Sequence, residues 1–121
     1  MKIDLSDRIA VVTGAGGALG RTIARTLGAC GADVAAHYQT SQAMAERVVQ
    51  DIRAMGRRAV AVQADIGDPT SVERLHATVV AELGDADIVV TNAVAFLASD
   101  LAKYITGVYL PVAGGNVMPA I

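Results

Sequence analysis

The amino-acid sequence predicts a three-layer α/β domain in which helices cover both faces of a doubly wound parallel sheet of about five strands. Three observations support this prediction. Short aliphatic runs alternate with stretches of helical periodicity, a glycine closes each of the first three helical stretches, and a glycine cluster separates the first strand from the first helix. Because βαβ crossovers are right-handed, the expected strand order is 3-2-1-4-5.

Each element follows from a local pattern. The predicted order is strand 8–13, helix 18–30, strand 33–38, helix 42–55, strand 59–63, helix 69–83, strand 87–91, helix 93–103 and strand 107–112. The second helix carries apolar residues at helical spacing and ends before Gly56. The third begins with Asp68 as N-cap and Pro69 at the first helical position, and Gly84 ends it.

The composition excludes several classes of protein. Ten basic and twelve acidic residues give a net charge of −2, which argues against a nucleic-acid partner. The single cysteine, Cys30, permits no internal disulfide and fits a reducing compartment. The first eight residues lack a signal-peptide core, no apolar run reaches the roughly 18 residues of a membrane helix, and no Cys/His cluster indicates a metal. We therefore expect one cytoplasmic domain over 1–121, with no membrane or metal partner.

The segment from Thr13 to Gly20 combines features of a phosphate site. Its glycines allow a tight turn and a close approach of the backbone to a ligand. The helix that follows offers unpaired N–H groups and the positive end of its dipole. A strand, a glycine loop and a helix in the first βα unit together predict nucleotide binding.

These residues, with three later landmarks, resemble the short-chain dehydrogenase/reductase family, whose fold is Rossmann-like. The family loop is T-G-x-x-x-G-x-G; Thr13, Gly14 and Gly20 match it, and Ala18 stands where the family has its middle glycine. Later matches are Asp65-Ile66 after the third strand, Asn92-Ala93 after the fourth, and the segment from Phe96 to Gly115, which resembles the family's last helix and strand. The resemblance spans nearly the whole chain.

The resemblance implies an oxidoreductase fold that binds NADP, or NAD, at the carboxyl ends of the strands. The residues implied in cofactor binding are Gly14, Gly16, Gly17, Leu19, Gly20, Gln39, Thr40, Ser41, Asp65, Ile66, Asn92 and Ala93. NAD-specific proteins carry an acid at the end of the second strand. This chain has none between His37 and Ser41, so we favour NADP(H). Ser41 is also expected to be the N-cap of the second helix.

The family's catalytic region is missing from this sequence. Residues 1–94 resemble the family's N-terminal half and residues 95–121 its C-terminal helix and strand, so the chain corresponds to an internally truncated member. The family uses a serine and a Y-x-x-x-K pair, in which the tyrosine is the acid. Here the residues four positions after Tyr38, Tyr104 and Tyr109 are Gln42, Val108 and Ala113. We therefore predict that ketone reduction by the family mechanism is lost.

Two other functions are kept as alternatives. The first is an esterase-type hydrolase that uses Ser41, His37 and Asp65, because all three are expected near the carboxyl edge of the sheet. The second is a non-catalytic nucleotide-binding module that forms oligomers. Large side chains concentrate between about 95 and 118, and this segment predicts a homodimer or tetramer.

Overall fold

A computed structural model describes residues 3–90 of the chain, and within this range seven elements alternate between strand and helix. They are β1 (Ile9–Val12), α1 (Ala18–Ala29), β2 (Asp33–Tyr38), α2 (Gln42–Ala54), β3 (Ala59–Gln63), α3 (Pro69–Glu82) and β4 (Ile88–Val90). The predicted bounds of β2 and β3 are reproduced, and each of the other predicted elements in this range extends one residue further at one or both ends.

The four strands form one parallel sheet in the order β3-β2-β1-β4. The register aligns Val11 of β1 with Ala35 of β2 on one side and with Val89 of β4 on the other. The predicted α/β class and the order 3-2-1-4 are therefore confirmed. The predicted fifth strand over 107–112 and the helix over 93–103 lie outside the described residues.

Helices pack on both faces of the sheet because successive strand residues point to opposite sides. Val34 and Ala36 of β2 pack with Val48 and Ile52 of α2, in a cluster that also contains Ala24 of α1. Ala35, between them, packs on the other face with a cluster from α3 and its C-cap residue: Val72, Leu75, Val79 and Leu83. These two apolar layers hold the strands in place and bring their carboxyl ends to one edge.

Two helix starts differ in how they are capped. The Asp68 carboxylate accepts a hydrogen bond from the Thr70 N–H at 3.0 Å, and Pro69 occupies the first turn, as predicted. Ser41 holds the N-cap position of α2, but its side chain makes no capping hydrogen bond, contrary to the expected role. The reason is the backbone: its ψ of 57° departs from the extended conformation that turns an N-cap hydroxyl toward the helix.

Carboxylates secure the amino end of the sheet. One oxygen of Asp33 accepts the Arg58 N–H at 3.0 Å, and the other accepts the Arg58 Nε–H at 3.0 Å. Asp87, just before β4, accepts the Ile9 N–H at 2.9 Å. These contacts satisfy backbone donors at the points where strands begin.

No helix between residues 3 and 90 has both the length and the apolar character needed to cross a bilayer.

Candidate functional site

The loop between β1 and α1 is a tight turn built around Gly14. Gly14 has φ of +62°, in the left-handed region that favours glycine, and its carbonyl accepts the Gly17 N–H at 3.0 Å. A Cβ at Gly20, in the first turn of α1, would overlap that same Gly14 carbonyl group. Both glycines are therefore required for α1 to start directly above the loop.

The buried imidazole of His37 fixes the loop to the sheet. The Gly14 N–H donates to His37 Nδ1 at 3.2 Å, and the Ala15 N–H donates to the His37 carbonyl at 2.9 Å. The other ring nitrogen, Nε2, lies 2.8 Å from the Ala64 carbonyl oxygen. Since a carbonyl only accepts, Nε2 carries the proton and Nδ1 is the acceptor, which assigns the neutral ring. One side chain thus joins the ends of β1, β2 and β3.

Burial lowers the pKa of His37, because the charged imidazolium loses its hydration in this position. The hydrogen bond to the Ala64 carbonyl raises the pKa and opposes part of that effect. His37 is only 4% exposed, so a charged ring in this position would be almost entirely out of contact with water. The environment therefore favours the neutral ring that the contacts require.

Hydrogen bonds also align the outer strands at this edge. The Thr13 N–H donates to the Val90 carbonyl at 2.9 Å, and the Ala64 N–H donates to the Tyr38 carbonyl at 3.0 Å. The ends of all four strands are consequently held side by side. In open α/β sheets, ligands bind outside these carboxyl ends.

The segment after β2 lies against the glycine loop. A Cβ at Gly16 would come within 2.6 Å of Ser41 Cβ, so glycine permits this approach. Gln39, Thr40 and Ser41 are all exposed, and the Gln39 carbonyl accepts the Gln63 side-chain amide at 3.2 Å. The structure therefore presents two hydroxyl-bearing residues, and no carboxylate, beside the loop on this side.

The segment after β3 is fixed by a buried hydroxyl that sequence reasoning missed. The Asp65 N–H donates to Ser71 Oγ at 2.8 Å, and Ser71 is 3% exposed. The exposed Asp65 carboxylate accepts the Gly67 N–H at 2.9 Å, and Ile66 packs half-buried against the α3 cluster. Ser71 lies in the first turn of α3, and a serine three residues after the N-cap Asp68 was the available signal.

The glycine loop leads into a helix start without a capping side chain and leaves open space beside Gly14. A Cβ at Gly14 would meet nothing within 4 Å, so the loop opens toward space rather than toward packed side chains. Gly17, the N-cap of α1, supplies no capping side chain, and Leu19 in the first turn is 67% exposed. An uncapped helix start beside an open loop could accommodate an anionic group of a ligand. The exposed Leu19 offers an apolar surface to any ring that such a ligand carries.

The predicted site residues are only partly assembled by the described structure. Gly14, Gly16, Gly17, Leu19, Gly20 and the residues after β2 and β3 lie at one edge, whereas Asn92 and Ala93 lie outside the described residues. Ser41, His37 and Asp65 share that edge but not a hydrogen-bond chain. Both His37 ring nitrogens bind backbone groups, and Asp65 binds Gly67. The hydrolase hypothesis stays a prediction, and these contacts do not favour it.

Two other kinds of site come into question among residues 3–90: a surface concavity and a metal site. A concavity of about 540 Å³ lies at the far end of α1, with Cys30, Met55 and Arg57 in its wall. That position is at the amino end of the sheet, opposite the glycine loop. No group of three or more His, Cys, Asp or Glu side chains is placed to hold a metal in this range.

Comparison with known proteins connects this edge to one enzyme family. The family model described as short chain dehydrogenase matches residues 8–105. Versicolorin reductase 1 of Aspergillus parasiticus is 46% identical over 89 residues, which cover 74% of this chain and 34% of that protein.

Solved structures also show similarity between this chain and short-chain dehydrogenases. A short chain dehydrogenase from Burkholderia cenocepacia in complex with NADP superposes with a TM-score of 0.67 and is 44% identical, covering 70% of this chain and 35% of that one. A second dehydrogenase from the same organism, with bound NADP, gives a TM-score of 0.68 at 36% identity, covering 74% and 35%. The chain spans about a third of the length of the curated relatives it matches. With most of its residues inside the family match and the family's glycine loop at the carboxyl edge of the sheet, this chain belongs to the short-chain dehydrogenase family.

Proposed function

We propose that this chain is the dinucleotide-binding half of a short-chain dehydrogenase and that its ligand is NADP(H) in preference to NAD(H). The observation that carries the proposal is the glycine loop: it is open above Gly14, closed beneath by Gly20, and continued by a helix start without a capping side chain. Pyrophosphate is the group that such a loop binds in dinucleotide-binding folds. Two solved relatives with NADP bound support the same ligand class.

The preference for NADP(H) rests on the end of β2. Its last residue is Tyr38, followed by the exposed Gln39, Thr40 and Ser41. A carboxylate here would bind the ribose hydroxyls of NAD and repel a 2′-phosphate. The hydroxyls of Thr40 and Ser41 are instead suitable donors to a phosphate, and the close packing of Gly16 on Ser41 keeps them beside the loop.

The proposal includes no ketone reduction by the chain alone. The family reaction needs a tyrosine that donates a proton and a lysine four residues later that lowers the tyrosine's pKa. The sequence has no such pair, because Gln42, Val108 and Ala113 stand at the corresponding positions after its tyrosines. We also propose that residues 1–121 form one domain that self-associates through about 95–118; sedimentation at micromolar concentration tests this assembly.

Titration with NADPH and NADH tests the ligand assignment. We expect wild-type protein to bind NADPH more tightly than NADH, and Tyr38→Asp to weaken NADPH binding by about tenfold, because a carboxylate next to a phosphate costs at least ~1 kcal/mol. Tyr38→Asn is the matched control, since it removes the ring without adding charge. Equal loss in both variants would contradict the charge argument, and absence of binding to either dinucleotide would contradict the proposed function.

A further inference from the structure

His37 is a buried group that the proposed function does not use for contact with the ligand. Among the described residues the buried polar side chains are His37 and Ser71, and of these only the imidazole titrates. Its ring lies beneath the glycine loop rather than in the open space above it. A titratable ring thus lies at the base of the proposed phosphate loop.

The ring's two hydrogen bonds have opposite polarity. Nδ1 accepts from the Gly14 N–H at 3.2 Å, and Nε2–H donates to the Ala64 carbonyl at 2.8 Å. A protonated ring carries hydrogens on both nitrogens, so it can keep the Ala64 contact but cannot accept from Gly14. Two N–H groups would then face each other across the Gly14 contact. Gly14 is also the residue whose left-handed conformation sets the turn.

The charged groups around the ring do not stabilise its cationic form through a direct bond. Along β2 the adjacent titratable residue is Tyr38, after β3 it is Asp65, and at the start of α3 it is Asp68. The two carboxylates accept from the Gly67 and Thr70 N–H groups, at 2.9 Å and 3.0 Å. From Ile9 to Gly17, β1 and its loop contain no titratable side chain. Protonation of His37 is consequently opposed by burial and by loss of the Gly14 bond.

We propose that His37 is a positioning residue of the dinucleotide site: its neutral ring holds Gly14 in the phosphate-binding turn, and protonation releases Gly14 and weakens dinucleotide binding. The inference rests on the proposed function, because it assigns a role to a residue beneath the same loop. The imidazole touches no ligand and acts only through the Gly14 N–H. Its effect is therefore on affinity and on the pH dependence of affinity.

Two substitutions separate the two ring contacts. In His37→Asn, Oδ1 lies as many bonds from Cα as Nδ1, so it retains an acceptor for Gly14 that does not titrate. In His37→Gln, the side-chain amide reaches the position of Nε2, so it retains the donor to Ala64 and removes the Gly14 acceptor. Both variants carry an uncharged amide, are smaller than histidine and differ from each other by one methylene group, which makes them a matched pair.

The experiment measures the Kd for NADPH from pH 8 to pH 5 in the full chain and in both variants. The 2′-phosphate titrates in the same range, and His37→Asn retains that ligand effect together with every protein group except the His37 ring. We expect wild-type affinity to fall about three- to tenfold more than that of His37→Asn, the usual range for one lost hydrogen bond. We expect His37→Gln to bind weakly at every pH. Parallel profiles for wild type and His37→Asn, or equal affinity of the two variants at pH 8, would overturn the inference.

NMR of the wild-type protein tests the same inference without a substitution. We expect the His37 ring to be the Nε2–H tautomer at pH 8, and the Gly14 amide resonance to shift with the midpoint of the ring titration. A Gly14 amide that does not move while the ring titrates would overturn the positioning role and leave the proposed function intact. Absence of NADPH binding by the wild type at every pH would overturn both.

Discussion

The two ends of the sheet use different side chains to accept hydrogen bonds from backbone N–H groups. At the amino end, the carboxylates of Asp33 and Asp87 accept backbone N–H groups and pair with Arg58 and Arg8. At the carboxyl end, the corresponding acceptor beneath the glycine loop is the neutral ring of His37. At both ends backbone N–H groups near the strand termini donate to side-chain acceptors, which are charged carboxylates at the amino end and an uncharged ring beneath the glycine loop. The glycine loop is therefore fixed to the sheet without a carboxylate as the acceptor of the Gly14 N–H.

The largest effect is expected when the close packing beneath the loop is broken. A Cβ at Gly20 would overlap the Gly14 carbonyl group, which is backbone and cannot turn aside. We expect Gly20→Ala to lower the free energy of unfolding by about 2–3 kcal/mol, within the range for overpacking. Urea denaturation measures this change. In Gly17→Ala the new Cβ would lie 3.4 Å from the Gly14 carbonyl oxygen, so a loss below about 1 kcal/mol is expected. Equal losses in the two variants would contradict the packing argument.

A change at the amino end should affect stability alone. Asp33→Ala removes the acceptor for the Arg58 N–H and its paired guanidinium, whose Nη2 lies 2.9 Å from the carboxylate. We expect a loss of about 1–2 kcal/mol in the free energy of unfolding, with unchanged NADPH affinity. Asp51→Ala is the control, because it breaks the Arg25–Asp51 pair between α1 and α2, whose carboxylate is 42% exposed against 18% for Asp33, and it should cost less than about 1 kcal/mol. A fall in NADPH affinity in Asp33→Ala would show that the two ends are coupled.

The His37 ring predicts how stability depends on pH. Its pKa in the folded protein is lowered by burial, whereas in the unfolded chain it is near 6.5. As pH falls below that value, the unfolded state takes up a proton that the folded state does not, so the free energy of unfolding decreases. The slope for one such proton is at most about 1.4 kcal/mol per pH unit, and the loss stops below the lowered pKa. Denaturation between pH 5 and 8 measures it. In His37→Asn this contribution should disappear, and an unchanged slope in that variant would assign the effect to other groups.

The smallest expected effect concerns Ala18, at the first position of α1. It stands where the family loop has its middle glycine, and it is exposed. Ala18→Gly removes a methyl group from the approach to the phosphates and is expected to tighten NADPH binding about two- to threefold. The same change should destabilise α1 by about 0.5–1 kcal/mol, because glycine is a poor helix former. Calorimetric titration and denaturation measure both, and weaker binding in Ala18→Gly would contradict an obstructive methyl.

The sequence predicted the architecture well because the relevant signals are local. Short apolar runs defined β2 and β3, and Asp68-Pro69 defined the start of α3, so none of these predictions needed distant contacts. The position of His37 near the carboxyl edge was also predictable from the length of β2. Its partners were not, because Gly14 and Ala64 are 23 and 27 positions away and meet the ring only once the strands pair.

The side-chain hydrogen bonds of the site depend on backbone geometry that sequence patterns do not show. Ser41 was expected to cap α2, but its backbone conformation leaves the hydroxyl out of a cap. Ser71 gave a weak signal and proved to fix the segment after β3. The family motif singled out Gly14 and Gly20, and the structure gives a backbone reason for each glycine, whereas their role in cofactor binding stays a prediction.

The most direct test of the account is NADPH binding by Gly14→Ala compared with Gly56→Ala. Both glycines have left-handed φ, +62° and +85°, and at both positions a Cβ would meet nothing within 4 Å. Each substitution should therefore cost about 1–2 kcal/mol of stability through the same backbone strain. Only Gly14 lies in the loop, so the account predicts NADPH affinity reduced by about tenfold in Gly14→Ala and unchanged in Gly56→Ala. Equal NADPH affinities in the two variants would contradict the assignment of the glycine loop as the dinucleotide site.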